Sequence, residues 1–380
     1  MRILLVGEFS RLHNSLKEGL VVLGHEVTLV GSGDDFKNFP VDLSIAARTV
    51  GSSGFLKLVS RIVNKFFGFT LESLEKGRRF EKLLPQLKGY DVVQLINSDA
   101  IETLPGLEMR LYKRLFAQNG KIFLLICGDE TPVVDEWLKN NQRYSVMTPY
   151  FEDESLEPHY RYTLKYTSGK YRELYRYVSE NASALLTSDL DYKLILDKAG
   201  IETTLIPNPV NIDKIKFEPL SESDPITIFY GANKYSSVKK GGKYFEQALN
   251  IVKEKFENKL KIETVDSLPY SEYVEHVKKA HIVLDQIYAF DQGYNALEAM
   301  ARGKVVFTGA ESEFYEHYGL SEKVAVNALP NVDYIVAEIS RLVKDRREMS
   351  RMGKHARTFV EREHDFRQIA ARYLEVWTKA

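Results

Sequence analysis

The stretch RILLVGEFSRLHNSLKEGLVVLGHEVTLVG at 2–31 decides the fold. RILLVG is a continuous apolar run closed by glycine, the pattern of a strand buried on both faces of a sheet. LHNSLKEGLVVLG at 12–24 then carries apolar residues at helical spacing and ends on Gly24, and HEVTLVG at 25–31 returns to a β-branched run. This is one βαβ unit. The pattern recurs at DVVQLIN (91–97), KIFLLICG (121–128) and ALLTS (184–188), so the first half reads as a doubly wound parallel sheet. Pro207 and Pro209 break the series, and a second one opens with ITIFYGAN at 226–233. It runs through a helix near 242–256, KIETVD at 261–266, a helix near 271–280, IVLDQIY at 282–288, a helix over YNALEAMARG and the strand KVVFTG at 304–309. The expected class is α/β: two Rossmann-like, doubly wound parallel-sheet domains, 1–205 and 206–360, facing a cleft, with 361–380 as a terminal helix.

Composition agrees with that division. A chain of 380 residues exceeds the ~250–300 at which a single core stops growing. The apolar share of 44%, the charged share of 28% and the net charge of -1 give no global field, so nucleic acid is not an implied partner. One cysteine, Cys127, excludes an internal disulfide and offers no zinc constellation, which favours a reducing, cytoplasmic compartment. RILLVGEF after Met1 has no small-residue cleavage site, and no apolar run approaches the ~20 residues of a bilayer span.

The loop and helix after IVLDQIY, AFDQGYNALEAMARG at 289–303, place the amides of Gly293, Tyr294 and Asn295 at a helix N-terminus facing the cleft, a geometry suited to phosphate. Glu298, about one and a half turns further, could accept hydrogen bonds from the two hydroxyls of a ribose. An ordinary crossover with Glu298 on a solvated face has the same spacing. NKYSSVKKGGKY at 233–244 gathers Lys234, Lys239, Lys240 and Lys243 around two glycines at a strand-to-helix turn, either a diphosphate site or a solvated surface turn. Tyr244 follows Lys243 where a Walker A loop needs Ser or Thr, and the chain contains no GxGxxG.

Several segments together resemble the donor domain of family-4 glycosyltransferases, which have the two-Rossmann GT-B architecture. They are GANKYSSVKKGGKYF (231–245), TLIPNPVNIDKI (204–215), SLPYSEYVEHVKKAHIVLDQIY (267–288) and GYNALEAMARGKVVFTG (293–309). LLVGEFSRLHNSLKEGLVVLGHEVTLV (4–30) resembles the acceptor domain, and HDFRQIAARYLEVW (364–377) the closing helix that crosses back to the first domain. The resemblance implies retaining, metal-independent transfer from a nucleotide diphosphate sugar, UDP or GDP type, to a glycan or glycolipid acceptor in cell-surface polysaccharide synthesis. It implies Lys234, Lys240, Gly293, Tyr294 and Asn295 at the diphosphate, Glu298 at the ribose, and the backbone of Ser267 and Leu268 at the base. The family's first glutamate, eight residues before Glu298, is Phe290 here. Either Asp291, or the pair Asp285 and Gln286, is then expected to meet the donor sugar, or sugar recognition differs from the family's. The family's His-Asp reads Gly128-Asp129, which leaves His13, Asp129 and Asp291 as candidate catalytic residues and Asn14 as an acceptor contact. His13 as a surface histidine and Asp129 as a helix cap are the plain alternatives. A nucleotide-sugar 2-epimerase of the same fold and a non-catalytic binding subunit are the competing functions.

Two further segments are open. GFLKLVSRIVNKFFGF at 54–69 places Phe55, Leu58, Val59, Ile62, Val63 and Phe66 on one helical stripe, with Lys57, Arg61 and Lys65 elsewhere around it. It is either a helix packed on the sheet with snorkelling lysines or one that lies on an anionic membrane at the cytoplasmic face. HYRYTLKYTSGKYRELYRYV at 159–178 reads as an amphipathic helix with a mixed face, or as acceptor contact.

Overall fold

The computed structural model describes residues 1–34, 37–220, 225–232, 236–266 and 268–380. The first domain holds a seven-stranded sheet of β1 (Arg2–Val6), β2 (Glu26–Gly31), β3 (Leu43–Ser44), β4 (Val92–Leu95), β5 (Lys121–Ile126), β6 (Ala184–Thr187) and β7 (Thr204–Leu205). Its order is β3-β2-β1-β4-β5-β6-β7 and every pairing is parallel. The second domain holds β8 (Ile226–Ala232), β9 (Leu260–Asp266), β10 (Ile282–Leu284), β11 (Val305–Thr308) and β12 (Val326–Asn327), in the order β12-β11-β10-β8-β9, again parallel. These are two Rossmann-like sheets, the second with flavodoxin-type order. Ile3, Leu4, Leu5 and Val6 are fully buried because helices cover both faces of β1, which explains the unbroken apolar run that announces it.

The closing helix Phe366–Lys379 packs on the helix Leu12–Val22 of the first domain. Gly19 permits that approach, since a Cβ there would stand 2.3 Å from the carbonyl oxygen of Phe366. Trp377, nearly fully buried, donates from Nε1 to Gln94 Oε1 at 3.2 Å on β4.

Three local expectations are corrected. IVLDQIY is strand through Leu284; Asp285 then turns towards Lys240, and Ile287 N donates to Lys240 O at 3.0 Å, so 285–288 is loop. The stretch 159–178 is two helices, Glu157–Leu164 and Gly169–Asn181, parted by a tight turn. In that turn Lys165 points inward, 2.7 Å from Asp99 and 3.7 Å from the Tyr162 ring centroid, so part of the supposed polar face is an internal ion pair. The helix Gly54–Phe67 is real, but the reading that packs its stripe on the sheet fails. Phe55 is 72% exposed, Leu58 55%, Ile62 50% and Phe66 73%.

The domains meet through polar contacts at the carboxyl ends of their sheets. Arg143 binds Glu311 at 2.6 Å and Glu313 at 2.9 Å, and Lys243 binds Glu152 at 3.0 Å. Asp191, in the first turn of the helix Leu190–Lys198, accepts from Phe290 N at 2.8 Å; Asp291 reciprocates by accepting from Leu190 N at 3.2 Å.

Candidate active site

The second-domain candidates lie where β8 and β10 run side by side and the strand order reverses, the place at which open α/β sheets bind ligands. After β8, the chain turns through Lys239 and Lys240 into the helix Gly242–Phe256, and Gly241 takes φ +72° at its start. A Cβ on Gly241 would stand 2.8 Å from Ile287 Cβ, so glycine is needed for both the angle and the space. Lys240 Nζ donates to Asp285 Oδ1 at 2.8 Å, directly after β10. Asp285 is 3% exposed at its side chain and also accepts from Thr308 at 3.4 Å. Gly293 caps the helix Tyr294–Ala301, and its missing side chain leaves Asp285 Oδ2 and Gln286 Oε1 within 3.7 Å of where a Cβ would sit. Lys240, Asp285, Gln286 and the helix N-terminus at Gly293 therefore converge on one point, with Asp285 as the resident counter-ion.

Glu298 is buried rather than solvated. Burial raises its carboxyl pKa, opposed by Tyr270 and Arg11. The Tyr270 hydroxyl spans its two oxygens at 2.8 and 2.6 Å, and Arg11 of the first domain stands 3.6 Å away. Tyr270 also meets Phe39 of the first domain edge-on at 5.4 Å between centroids. Leu268 lies two residues before Tyr270 and is half-buried, whereas Ser267 and Lys234 lie outside the described residues.

On the first-domain side, the loop between β1 and the helix Leu12–Val22 holds Ser10 at φ +51° and Arg11 at φ +73°. Left-handed geometry at two successive non-glycine residues is the kind of stored strain that gathers at ligand sites, and here it aims Arg11 at Glu298. His13 is neither a surface histidine nor a cleft group. It is fully buried, its Nδ1 donates to Gly7 O at 2.7 Å, and its Nε2 accepts from Gln94 at 3.2 Å. Burial pushes its pKa down to about 4, so the ring is neutral and braces the loop. Asn14 spends its amide group on Glu8, donating from N at 2.8 Å and from Nδ2 at 2.7 Å. Tyr294 donates its hydroxyl to Pro209 O at 2.7 Å and accepts from Ser15, which couples the helix Tyr294–Ala301 to the first domain. Asn295 lies on the exposed side of that helix start. Asp291 is fully enclosed and used as a cap, its pKa lifted to about 6 by burial.

Between the domains lies a cavity of about 380 Å³. Asp129, Gln286 and Gly293 border it together with Lys239, and Trp137 and Tyr192 supply aromatic walls. Asp129 is not a helix cap, since Glu130 caps the helix Thr131–Leu138; Asp129 accepts from Thr163 and faces Lys239 across the cleft at 3.5 Å. The structure thus gathers Asp129, Gln286, Gly293, Lys240 and Asp285, keeps Glu298 beside them under Tyr270, and sets His13, Asn14 and Asp291 behind them as supports. Sequence reasoning missed Arg11, Tyr270 and Glu8. The doublet of strained residues is invisible in sequence, and Tyr270 reads as an ordinary first-turn helix residue. Among the described residues no group of three or more His, Cys, Asp or Glu is placed to hold a metal ion.

Glu8 carries a measurable consequence. It is 1% exposed, and burial lifts its carboxyl from the ordinary 4.5 to about 8 against the pull of the Asn14 bonds. The folded chain therefore keeps a proton that the unfolded chain releases near 4.5, so this contribution to stability is full below that pH and is lost as pH rises through about 8. Glu8→Gln, which can still accept from Asn14, is expected to flatten the fall in Tm between about pH 5 and about pH 9. An unaltered pH profile would place the titrating group elsewhere.

Two facing parallel-sheet domains with a terminal helix returning to the first, and an anion-suited turn at the switch point of the second, define the GT-B fold of glycosyltransferases. Residues 233–375 match the glycosyl transferase-like family, a span covering most of the second domain and the closing helix. None of the curated proteins compared with the sequence matches it. Among solved structures, sucrose-phosphate synthase from Thermosynechococcus elongatus superposes with TM-score 0.60 at 14% identity, covering 100% of this chain and 98% of that one. HepE from Anabaena, in complex with UDP and glucose, gives TM-score 0.59 at 13% identity, covering 100% of both chains. An α-glucosyltransferase in complex with UDP and a 13-mer DNA gives TM-score 0.59 at 13% identity, covering 100% of this chain and 99% of that one. At these identities the likeness is one of fold.

Proposed function

We propose that the protein is a retaining, metal-independent glycosyltransferase that moves a sugar from a UDP- or GDP-sugar to a glycan or glycolipid acceptor in cell-surface polysaccharide synthesis. The observation that carries this reading is the convergence of Lys240, Asp285, Gln286 and the helix start at Gly293 on the switch point, opposite Asp129 across the cleft. A nucleoside diphosphate sugar laid there would set its diphosphate between Lys240 and the amides of Gly293, Tyr294 and Asn295. Its ribose would reach Glu298, its base the backbone at Ser267 and Leu268, and its sugar Asp285 and Gln286. In the reaction the bond from the anomeric carbon to the diphosphate breaks and a bond to the acceptor oxygen forms on the same face. Negative charge grows on the departing diphosphate, and Lys240 with the helix amides would offset it. Asp129 borders the cavity from the first domain, and in this reading its carboxylate would receive the acceptor's proton.

The test is to incubate the protein with a panel of UDP- and GDP-sugars and follow the released or transferred sugar by NMR. Retention of the donor's anomeric configuration is the expected product; inversion would remove the retaining mechanism, and no turnover of any donor would remove the activity.

Tyr270 sets a condition on donor entry. Its hydroxyl lies against both carboxylate oxygens that two ribose hydroxyls would use, so it would compete with the donor for them. A hydrogen bond to a charged group is worth about 1.5–3 kcal/mol, so Tyr270→Phe is expected to tighten UDP or GDP binding about tenfold by calorimetry. Unchanged affinity would mean that Tyr270 and the ribose do not compete.

A further inference from the structure

We propose that the helix Gly54–Phe67 is a docking surface for an anionic lipid membrane. The helix is sharply bounded, with the Ser53 side chain accepting from Leu56 N at its start and Gly68 at φ +71° at its end, so its exposed face belongs to an ordered element. Ten large hydrophobic side chains are exposed among the described residues, and four of them, Phe55, Leu58, Ile62 and Phe66, stand on this helix. At 3.6 residues per turn those four fall on one stripe.

The rest of the circumference explains what covers the stripe. Leu56, Val59, Ser60 and Val63 are partly or fully buried and form the seat; Ser60 Oγ donates to Glu72 and accepts from Leu71 N at 2.9 Å. Lys57, Arg61 and Lys65, four residues apart, form a third stripe along the side of the apolar one away from the seat. All three are exposed and without an acidic partner among the described residues, and the helix contains no Asp or Glu. An apolar ridge flanked by unpaired cations matches an interface in which acyl chains take the ridge and anionic headgroups take the cations. A protein partner of ordinary composition would need acids aligned at one-turn intervals beside an apolar groove, whereas a lipid leaflet supplies both without alignment.

The position fits the proposed transferase and goes beyond it. Lys76, on the helix Leu71–Leu83 that follows, binds Glu102 at 2.7 Å, and Glu102 accepts from Ser32 at 2.8 Å. Ser32 follows β2 and Glu102 follows β4, so the helix Leu71–Leu83, whose start the docking helix holds through Ser60, reaches the carboxyl edge of the first sheet, the edge that faces the cleft. A membrane on this face would present lipid-borne acceptors to the acceptor domain.

The experiment is co-sedimentation of the full chain with vesicles of phosphatidylcholine mixed with phosphatidylglycerol, against phosphatidylcholine alone. Binding to the anionic vesicles, weakened by salt, is expected. Joint replacement of Lys57, Arg61 and Lys65 by Ala should weaken it on the order of a hundredfold, given ~1 kcal/mol per cation at such a surface. Phe55→Ser with Phe66→Ser should abolish it while leaving Tm unchanged, because both rings are already in solvent. No sedimentation of the wild type, or equal sedimentation of the variants, overturns the proposal. So does a wild-type dimer, without vesicle binding, that the Phe variants dissociate, which would assign the face to a second copy. The assay needs no nucleotide, so its failure and failure of the donor site are separate results.

Discussion

Lys240→Ala is expected to weaken UDP or GDP binding about thirtyfold, ~2 kcal/mol, and to lower turnover further. The lysine is 31% exposed, which sets the affinity loss at the low end of that for desolvated charge pairs. Turnover suffers more because charge on the diphosphate is greatest in the transition state, so an interaction aimed there is lost preferentially from kcat. The variant also strips Asp285 of its counter-ion, and a companion is needed to separate folding from binding. Asp285→Asn frees Lys240 without removing it, and should hold nucleotide affinity or raise it. Calorimetry on both variants, with Tm measured alongside, reads the outcome. Unchanged affinity in Lys240→Ala would remove this lysine from the diphosphate site.

The second large effect concerns Glu298. A buried carboxylate that accepts from two ribose hydroxyls should make the protein prefer UDP over its 2′-deoxy counterpart by about tenfold or more. Glu298→Gln keeps an oxygen for Tyr270 and leaves Arg11 its partner Glu18 at 3.1 Å, so the fold should persist. In that variant UDP affinity is expected to fall to near that of the deoxy compound. Equal preference in the wild type would take the ribose away from Glu298.

The architecture was legible because parallel strands covered on both faces must be apolar without interruption, as Ile3 to Val6, Phe123 to Ile126 and Val305 to Phe307 are. The two-residue strands Leu43–Ser44, Thr204–Leu205 and Val326–Asn327 are too short to carry a periodicity. IVLDQIY overran its strand for a physical reason: apolar Ile287 and Tyr288 are buried by the Lys240 turn and the cleft wall, not by sheet neighbours. At the site, the spacing within the second half singled out Lys240, Asp285 and Glu298 as neighbours of one helix start, and the structure brings Lys240 and Asp285 together there. What else lies around them could not be read from it, because Tyr270 on Glu298, Arg11 beside it, and the exchange of caps between Asp191 and Asp291 join positions from 28 to nearly 290 residues apart. For the helix at 54–67, sequence fixes the stripes but not which of them the fold leaves outside. The exposure of Phe55 and Phe66 is information that packing alone supplies. No helix among the described residues is long and apolar enough to cross a membrane.

The central claim is that the second domain holds a nucleoside diphosphate at the switch point of its sheet. A thermal-shift panel of UDP, GDP, ADP, dTDP and CMP, run on the full chain without added metal, tests it most directly, because a ligand that binds the native state raises Tm by mass action. The account predicts a rise of a few degrees, ~1–2 °C per kcal/mol for a chain of 380 residues, with UDP or GDP and none with CMP, which lacks the second phosphate. The absence of any shift at millimolar nucleotide would contradict it.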